Sequence, residues 1–188
     1  MTTRTPSHAV ADRFQDFGET VFTEITRLAV EHDAVNLGQG FPDFEGPDFV
    51  KHAAAEALRD QPNQYARSHG LPALNQAVAD RIHATTGRSV DPDAEVTVTT
   101  GCTEALAAAF LGLVNPGDEV VLFEPFYASY RAGVAMAGAT PRFVTLRPPD
   151  FAFDPDELRA ACSPRTRAIL VNTPHNPTGR MFSADELA

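Results

Sequence analysis

The chain has 188 residues, of which 43% are apolar and 21% charged, and its formal net charge is −10. That composition belongs to a globular protein with one sizeable core rather than to a disordered chain. The acidic balance, with no local cluster of Lys and Arg, speaks against a nucleic-acid partner, and no stretch approaches the roughly 20 apolar residues of a membrane span.

From the N-terminus, residues 1–20 carry Arg4, Asp12, Arg13, Asp16 and Glu19 with no apolar stretch, so no secretory signal is expected. Val21, Phe22, Ile25, Leu28 and Ala29 share one face of a 3.6-residue period, which predicts an amphipathic helix over 19–32. A short extended piece at 35–37 enters the turn-rich stretch 38–47. Pro47 suits the first position of a second helix, with the apolar face Val50, Ala53, Ala54, Ala57 and Leu58. Pro72 opens a third, which carries Leu74, Val78 and Ile82 at four-residue intervals and ends at Gly87.

From residue 95 the period changes. Short β-rich runs at 95–99, 119–123, 142–146 and 167–172 alternate with helical patterns at 103–114, 127–137 and 154–161. Asp154 reads as an N-cap, with Pro155 first and Glu157 third in the helix. This alternation predicts an α/β fold with a mostly parallel sheet flanked by helices on both faces. The run 183–186 is a capping box, and Leu187 begins an apolar face. A helix of two turns or fewer is rarely stable alone, so the chain is expected to stop inside an interrupted helix. No internal repeat or low-complexity tract is present.

Three loops follow the C-terminal ends of the predicted strands, where open α/β sheets bind ligands. In the first, Thr99, Thr100, Gly101, Cys102, Thr103 and Glu104 lead into an Ala-rich helix. Backbone N–H groups at such a start bind phosphate without a basic side chain, although an ordinary strand-to-helix turn would use Gly and Thr too. The second, Glu124, Pro125, Phe126 and Tyr127, brings rings to a strand end, either to stack on a planar heterocycle or to pack in the core. The third, over 172–179, is stiffened by Pro174 and Pro177, so that Asn176 can be aimed at a ligand oxygen; a purely structural turn is the other reading.

Cys102, at a helix start, has the placement of an activated thiol, but no His pairs with it recognisably. His8, His32, His52, His69, His83 and His175 show no metal-ligand spacing. With only Cys102 and Cys162, disulfide stapling is not expected, and a reducing compartment, the cytoplasm, is. Among fourteen arginines there is a single lysine, Lys51, which reads as a solvated helix residue.

Asn-Leu-Gly-Gln-Gly-Phe-Pro-Asp-Phe over 36–44, Asn-Gln-Tyr over 63–65, Gly-Cys-Thr-Glu-Ala-Leu over 101–106, Glu-Pro-Phe-Tyr over 124–127 and Asn-Thr-Pro-His-Asn-Pro-Thr-Gly over 172–179 together carry a resemblance. In this order they resemble the fold-type I aminotransferases, which use pyridoxal 5'-phosphate (PLP). The resemblance runs from about residue 14 to 187 and is strongest toward the kynurenine, glutamine and methionine aminotransferases, nearly matched by the N-succinyldiaminopimelate aminotransferases. It implies the N-terminal part of an aspartate aminotransferase-like large domain, truncated: residues 1–46 as an arm contacting a small domain, and 47–188 as the opening portion of the cofactor domain.

On matching positions, the resemblance implies that Gly101, Cys102 and Thr103 form the phosphate loop, that Tyr127 stacks on the pyridine ring and that Asn176 bonds its phenolic oxygen. Tyr65 would reach the phosphate in the other subunit of a homodimer. Gly40 would lie by the substrate carboxylate and Phe22 in the substrate pocket, with Phe41 bringing a second ring to that segment. Thr103 departs from the Tyr that several relatives carry, which leaves the subtype open. The cofactor lysine, the acidic partner of the pyridine nitrogen and the carboxylate-binding arginine are expected beyond Ala188, so this piece alone is expected to be inactive. The implied activity is transfer of an amino group from an apolar, aromatic or amide amino acid to a 2-oxo acid. Alternatives are N-succinyldiaminopimelate as donor, with Arg67 the nearest cation for its distal carboxylate, a cysteine-S-conjugate β-lyase, and a non-catalytic ligand sensor.

Overall fold

The structure, a computed structural model, describes residues 11–40 and 42–188. They form two compact units, Glu19–Thr99 and Thr100–Ala188, the second including the described residues up to Gly18.

In the first unit, α1 (Val21–Glu31) starts at Thr20, whose hydroxyl accepts the N–H of Thr23 at 3.3 Å. Helix α2 (Asp48–Asp60) starts one residue later than the sequence suggests, because Pro47 is extended and serves as N-cap. Every residue of α2 is exposed, including the expected apolar face of Val50, Ala53, Ala54, Ala57 and Leu58. Periodicity reports that a face is apolar; a neighbouring element has to cover it, and none does so among the described residues.

Helix α3 (Pro72–Thr86) ends where expected, at Gly87, whose φ of +72° is a left-handed C-cap. Its buried face differs from the expected one: Asn75 and Ala79 are buried, whereas Leu74 is 46% exposed. The cause is Asn75. Its Nδ2 donates to the carbonyls of His69 at 3.1 Å, Pro92 at 3.0 Å and Val96 at 3.1 Å, and so draws three backbone segments onto that side of the helix. The run 95–99, expected as a strand, is not one: it begins in a bend and continues as irregular chain. Val98 N–H donates to the His69 carbonyl at 2.9 Å, a loop contact, and a strand needs a ladder partner that no described segment supplies.

The second unit holds the predicted parallel sheet. Strands β1 (Glu119–Glu124), β2 (Thr140–Thr145) and β3 (Thr166–Leu170) lie in the order β2-β1-β3, and both pairings are parallel. Central β1 is buried on both sides, so alternate residues feed two cores. Val120 and Leu122 pack with Phe110 and Val114 near the end of α4 (Gly101–Leu113) and with Tyr130 and Val134 of α5 (Ala128–Met136). Val121 and Phe123 pack with Val144, Leu146, Phe182 and Ala161 of α6 (Pro155–Ala161). Each such side chain, fully buried, contributes about 1.5–3 kcal/mol. Where α4 crosses α5, a Cβ on Gly133 would come within 2.6 Å of the Phe110 ring, so only glycine permits this approach.

Asp154 caps α6 as expected, accepting the Asp156 N–H at 2.8 Å. Glu157 does not close a capping box. Its carboxylate instead accepts the Thr145 N–H at 2.9 Å and the Arg147 guanidinium at 2.5 Å, tying α6 to the end of β2. At α7 (Ala184–Leu187) the box is complete between Ser183 and Glu186.

Candidate functional site

Because β1 and β3 are parallel neighbours, the segments leaving their C-terminal ends emerge on one edge of the sheet. The turn into α5 and the loop 172–179 therefore share that edge.

Helix α4 starts at the Thr100–Gly101 step. Gly101 has φ +78°, a left-handed conformation, and a Cβ there would meet no atom within 4 Å. The Glu104 carboxylate reaches back one turn to accept the Thr100 N–H, and this bond holds its pKa below the ordinary carboxylate range. Gly101, Cys102 and Thr103 are exposed, and the first N–H groups of any α-helix lack intrahelical acceptors. The positive end of this thirteen-residue helix therefore lies at an exposed stretch of chain, with the Glu104 carboxylate folded back on the residue before it.

The two aromatic candidates after β1 have different fates. Phe126 stacks on Phe143 of β2, centroids 5.4 Å apart and planes 8° apart, so it belongs to packing. Tyr127 is the N-cap of α5, half-buried, and meets Tyr130 edge-on at 5.7 Å. Burial pushes the Tyr130 hydroxyl pKa up, and the nearby Cys102 and Tyr127 groups push it further. Tyr130 itself packs in the core with Phe110 and Val114.

In the third loop the Asn176 side chain is exposed and makes no hydrogen bond among the described residues, while its backbone N–H donates to Asn172 Oδ1 at 2.7 Å. His175 is only 4% exposed, and its Nδ1 lies 2.9 Å from Thr178 Oγ1. Burial holds its pKa below the ordinary value, the Arg180 charge acts the same way, and a bond to the Phe123 backbone opposes both. Arg180 lies over the Phe182 ring at 4.9 Å and donates to Glu186 at 2.5 Å.

Gly101, Cys102, Thr103, Tyr127 and Asn176 thus all belong to the second unit, Tyr127 and Asn176 on the same sheet edge. The other candidates, Tyr65, Gly40 and Phe22, belong to the first unit: Tyr65 and Gly40 are exposed and Phe22 is half-buried on α1. Phe41 lies outside the described residues. Lys51 is taken up by Glu45 at 3.1 Å and Asp48 at 3.2 Å. Arg67 pairs with Asp93 at 2.7 Å and donates to the Gly70 carbonyl at 3.2 Å. Both cysteines are free and exposed. Sequence reasoning missed Glu104 and His175. Glu104 was legible as a carboxylate four residues after the helix start, whereas nothing in the spacing marked His175 as buried.

Residues 32–188 match the family described as aminotransferase class I and II. The chain is 51% identical over 178 residues to "Probable N-succinyldiaminopimelate aminotransferase DapC" of Mycobacterium tuberculosis, covering 94% of this chain and 45% of that protein. It is 41% identical over 176 residues to the methionine aminotransferase of Escherichia coli, covering 94% of this chain and 46% of that one. The solved N-succinyldiaminopimelate aminotransferase of M. tuberculosis superposes with a TM-score of 0.90 at 50% identity, over 96% of this chain and 47% of that one. The chain spans about half the length of the curated relatives it matches.

Proposed function

The chain belongs to the class I and II aminotransferase family, whose members depend on PLP, and from that premise we propose that the complete protein is a transaminase in which this segment supplies about half of the cofactor site. The carrying observation is the pairing of that family match with one sheet edge that holds both the half-buried Tyr127 and the uncommitted Asn176 amide.

The residues present fit this cofactor. Gly101 leaves room where a Cβ would stand, and the α4 start brings the positive end of a helix dipole to a phosphate, the part that Gly101, Cys102 and Thr103 would play. Tyr127 presents a ring to a planar heterocycle, and Asn176 can donate to its phenolic oxygen. When bound, PLP supplies an electron sink for the amino acid's α-carbon and carries the amino group to a 2-oxo acid. Tyr65, fully exposed, would serve a neighbouring subunit's phosphate in a homodimer, and Gly40 and Phe22 would line the substrate side. Residues 1–46 would form the arm and 47–188 the opening of the cofactor domain of a cytoplasmic enzyme. The 188-residue chain alone would be inactive, since its one lysine is bound to Glu45 and Asp48.

For the donor, the apolar amino acids favoured by sequence reasoning give way to N-succinyldiaminopimelate. Identity over the same 94% of the chain is 51% to the relative named for that substrate and 41% to the one named for methionine. Its distal carboxylate needs a cationic partner, for which Arg67 would have to leave Asp93. The test is kcat/KM of the complete enzyme for N-succinyldiaminopimelate, kynurenine, methionine, glutamine and aspartate with one shared oxo acid, while pyruvate release from a cysteine conjugate is followed separately. A lead of about tenfold for the succinylated donor, ~1.4 kcal/mol in transition-state binding, is expected. A lead for kynurenine or methionine would reverse the choice, and activity confined to pyruvate release would replace transamination with β-elimination.

A further inference from the structure

The loop between β3 and α7 is bonded to itself around one buried imidazole. His175 N–H donates to the Arg180 carbonyl at 2.7 Å and the Gly179 N–H donates to the His175 carbonyl at 2.7 Å, which closes 175–180 into a tight unit. Phe182 N–H donates to Thr173 Oγ1 at 3.1 Å, and the Phe182 ring meets the imidazole edge-on at 6.3 Å. Its Nδ1 lies 2.9 Å from the Thr178 hydroxyl oxygen. With that nitrogen taken up and the ring only 4% exposed, the imidazole is a buried anchor rather than a ligand contact.

We propose that His175 is the positioning residue of this site: its ring, seated between Phe182 and Thr178, fixes the direction in which the next residue, Asn176, presents its amide. One peptide bond separates the buried anchor from the exposed amide, and a misplacement of about 1 Å at a ligand contact costs up to ~100-fold in function. Asn172 holds the other side of the same residue through the Asn176 N–H, so the backbone of Asn176 is gripped from two directions while its side chain is left for a ligand. This inference rests on the reading of Asn176 as a cofactor contact.

The test uses the complete enzyme and the variants His175→Phe, which keeps a ring but loses the bond to Thr178, and Thr178→Val, which loses only the hydroxyl. Two quantities are read below each variant's melting temperature: affinity of the apoenzyme for PLP, and the pKa of the bound cofactor's visible band. Asn176→Ala is the reference, alone and combined with each variant. Both variants are expected to raise the band's pKa by about half a unit or more and to weaken PLP binding about tenfold, with no further change when combined with Asn176→Ala. Lowered melting temperatures with unchanged pKa and affinity, or effects that add fully to those of Asn176→Ala, overturn the proposal. If His175→Phe does not fold, Thr178→Val decides. If Asn176→Ala itself changes nothing, the cofactor reading of Asn176 fails and this proposal with it; if Asn176→Ala shifts both quantities and the other two variants shift neither, only the role of His175 fails.

Discussion

The backbone N–H of Asn176 is held by Asn172 Oδ1 at 2.7 Å, so the two asparagines of this loop divide the work: one side chain fixes the backbone, and the other is left over. In the complete enzyme, Asn176→Ala is expected to weaken cofactor binding and to raise the pKa of the cofactor's visible band. A donor to a phenolic oxygen stabilises its deprotonated form, so losing the donor favours protonation. A charge-assisted bond is worth about 1.5–3 kcal/mol, which corresponds to a shift on the order of one pH unit or more. A spectroscopic pH titration checks this; an unchanged curve would make Asn176 a turn residue only.

Gly101→Ala is expected to lower both stability and PLP affinity although space surrounds the position. The φ of +78° disfavours any Cβ, at about 1–2 kcal/mol, and the chain can relieve this only by turning the first N–H groups of α4. Thermal melting together with cofactor titration separates the two effects. Full affinity in this variant would show that the phosphate does not depend on this turn.

Asn75→Ala should be among the most destabilising single changes in the Glu19–Thr99 unit, at about 2–4 kcal/mol. It leaves the carbonyls of His69, Pro92 and Val96 without their shared donor beside a fully buried side chain. Asn75→Asp should fare no better, since an ionised carboxylate cannot donate. Denaturant unfolding of the three proteins measures this, and wild-type stability in Asn75→Asp would rule the account out.

Glu186 gives a pH dependence of known sign. The Arg180 guanidinium, then the Ser183 N–H, hold its pKa down at about 2, below the value of about 4.3 in an unfolded chain. A carboxylate with a depressed folded pKa contributes stability above its unfolded pKa and loses it as pH falls toward the folded one. Glu186→Gln should therefore be less stable than wild type at neutral pH, with the difference shrinking between about pH 4.5 and 2. A difference independent of pH across that window would assign the effect to packing rather than charge.

Much of the fold was legible because its signals act over four residues or fewer. The Ser183–Glu186 capping box, the left-handed Gly87 and the Asp154-Pro155 helix start need nothing from the rest of the chain. Strand β1 was equally plain, since a continuous apolar run can only be satisfied between two cores. At the site, the helix start at Gly101, the ring of Tyr127 and the Asn176 loop were readable as motifs, because each is a contiguous stretch of chain.

What the sequence by itself determined, then, is the local conformation of these stretches and the family they belong to. Tertiary structure decided which apolar and polar groups are covered. Among the described residues, 95–99 have strand composition but no ladder partner, and α2 has an apolar face with no cover, since pairing and burial are properties of two segments and periodicity describes one. Phe126 and Tyr127 are adjacent and both aromatic, yet contact with Phe143 commits the first to packing and leaves the second at the sheet edge. His175 became an anchor only because β1 and Phe182 close around it, and burial of an imidazole depends on distant chain that no local pattern encodes.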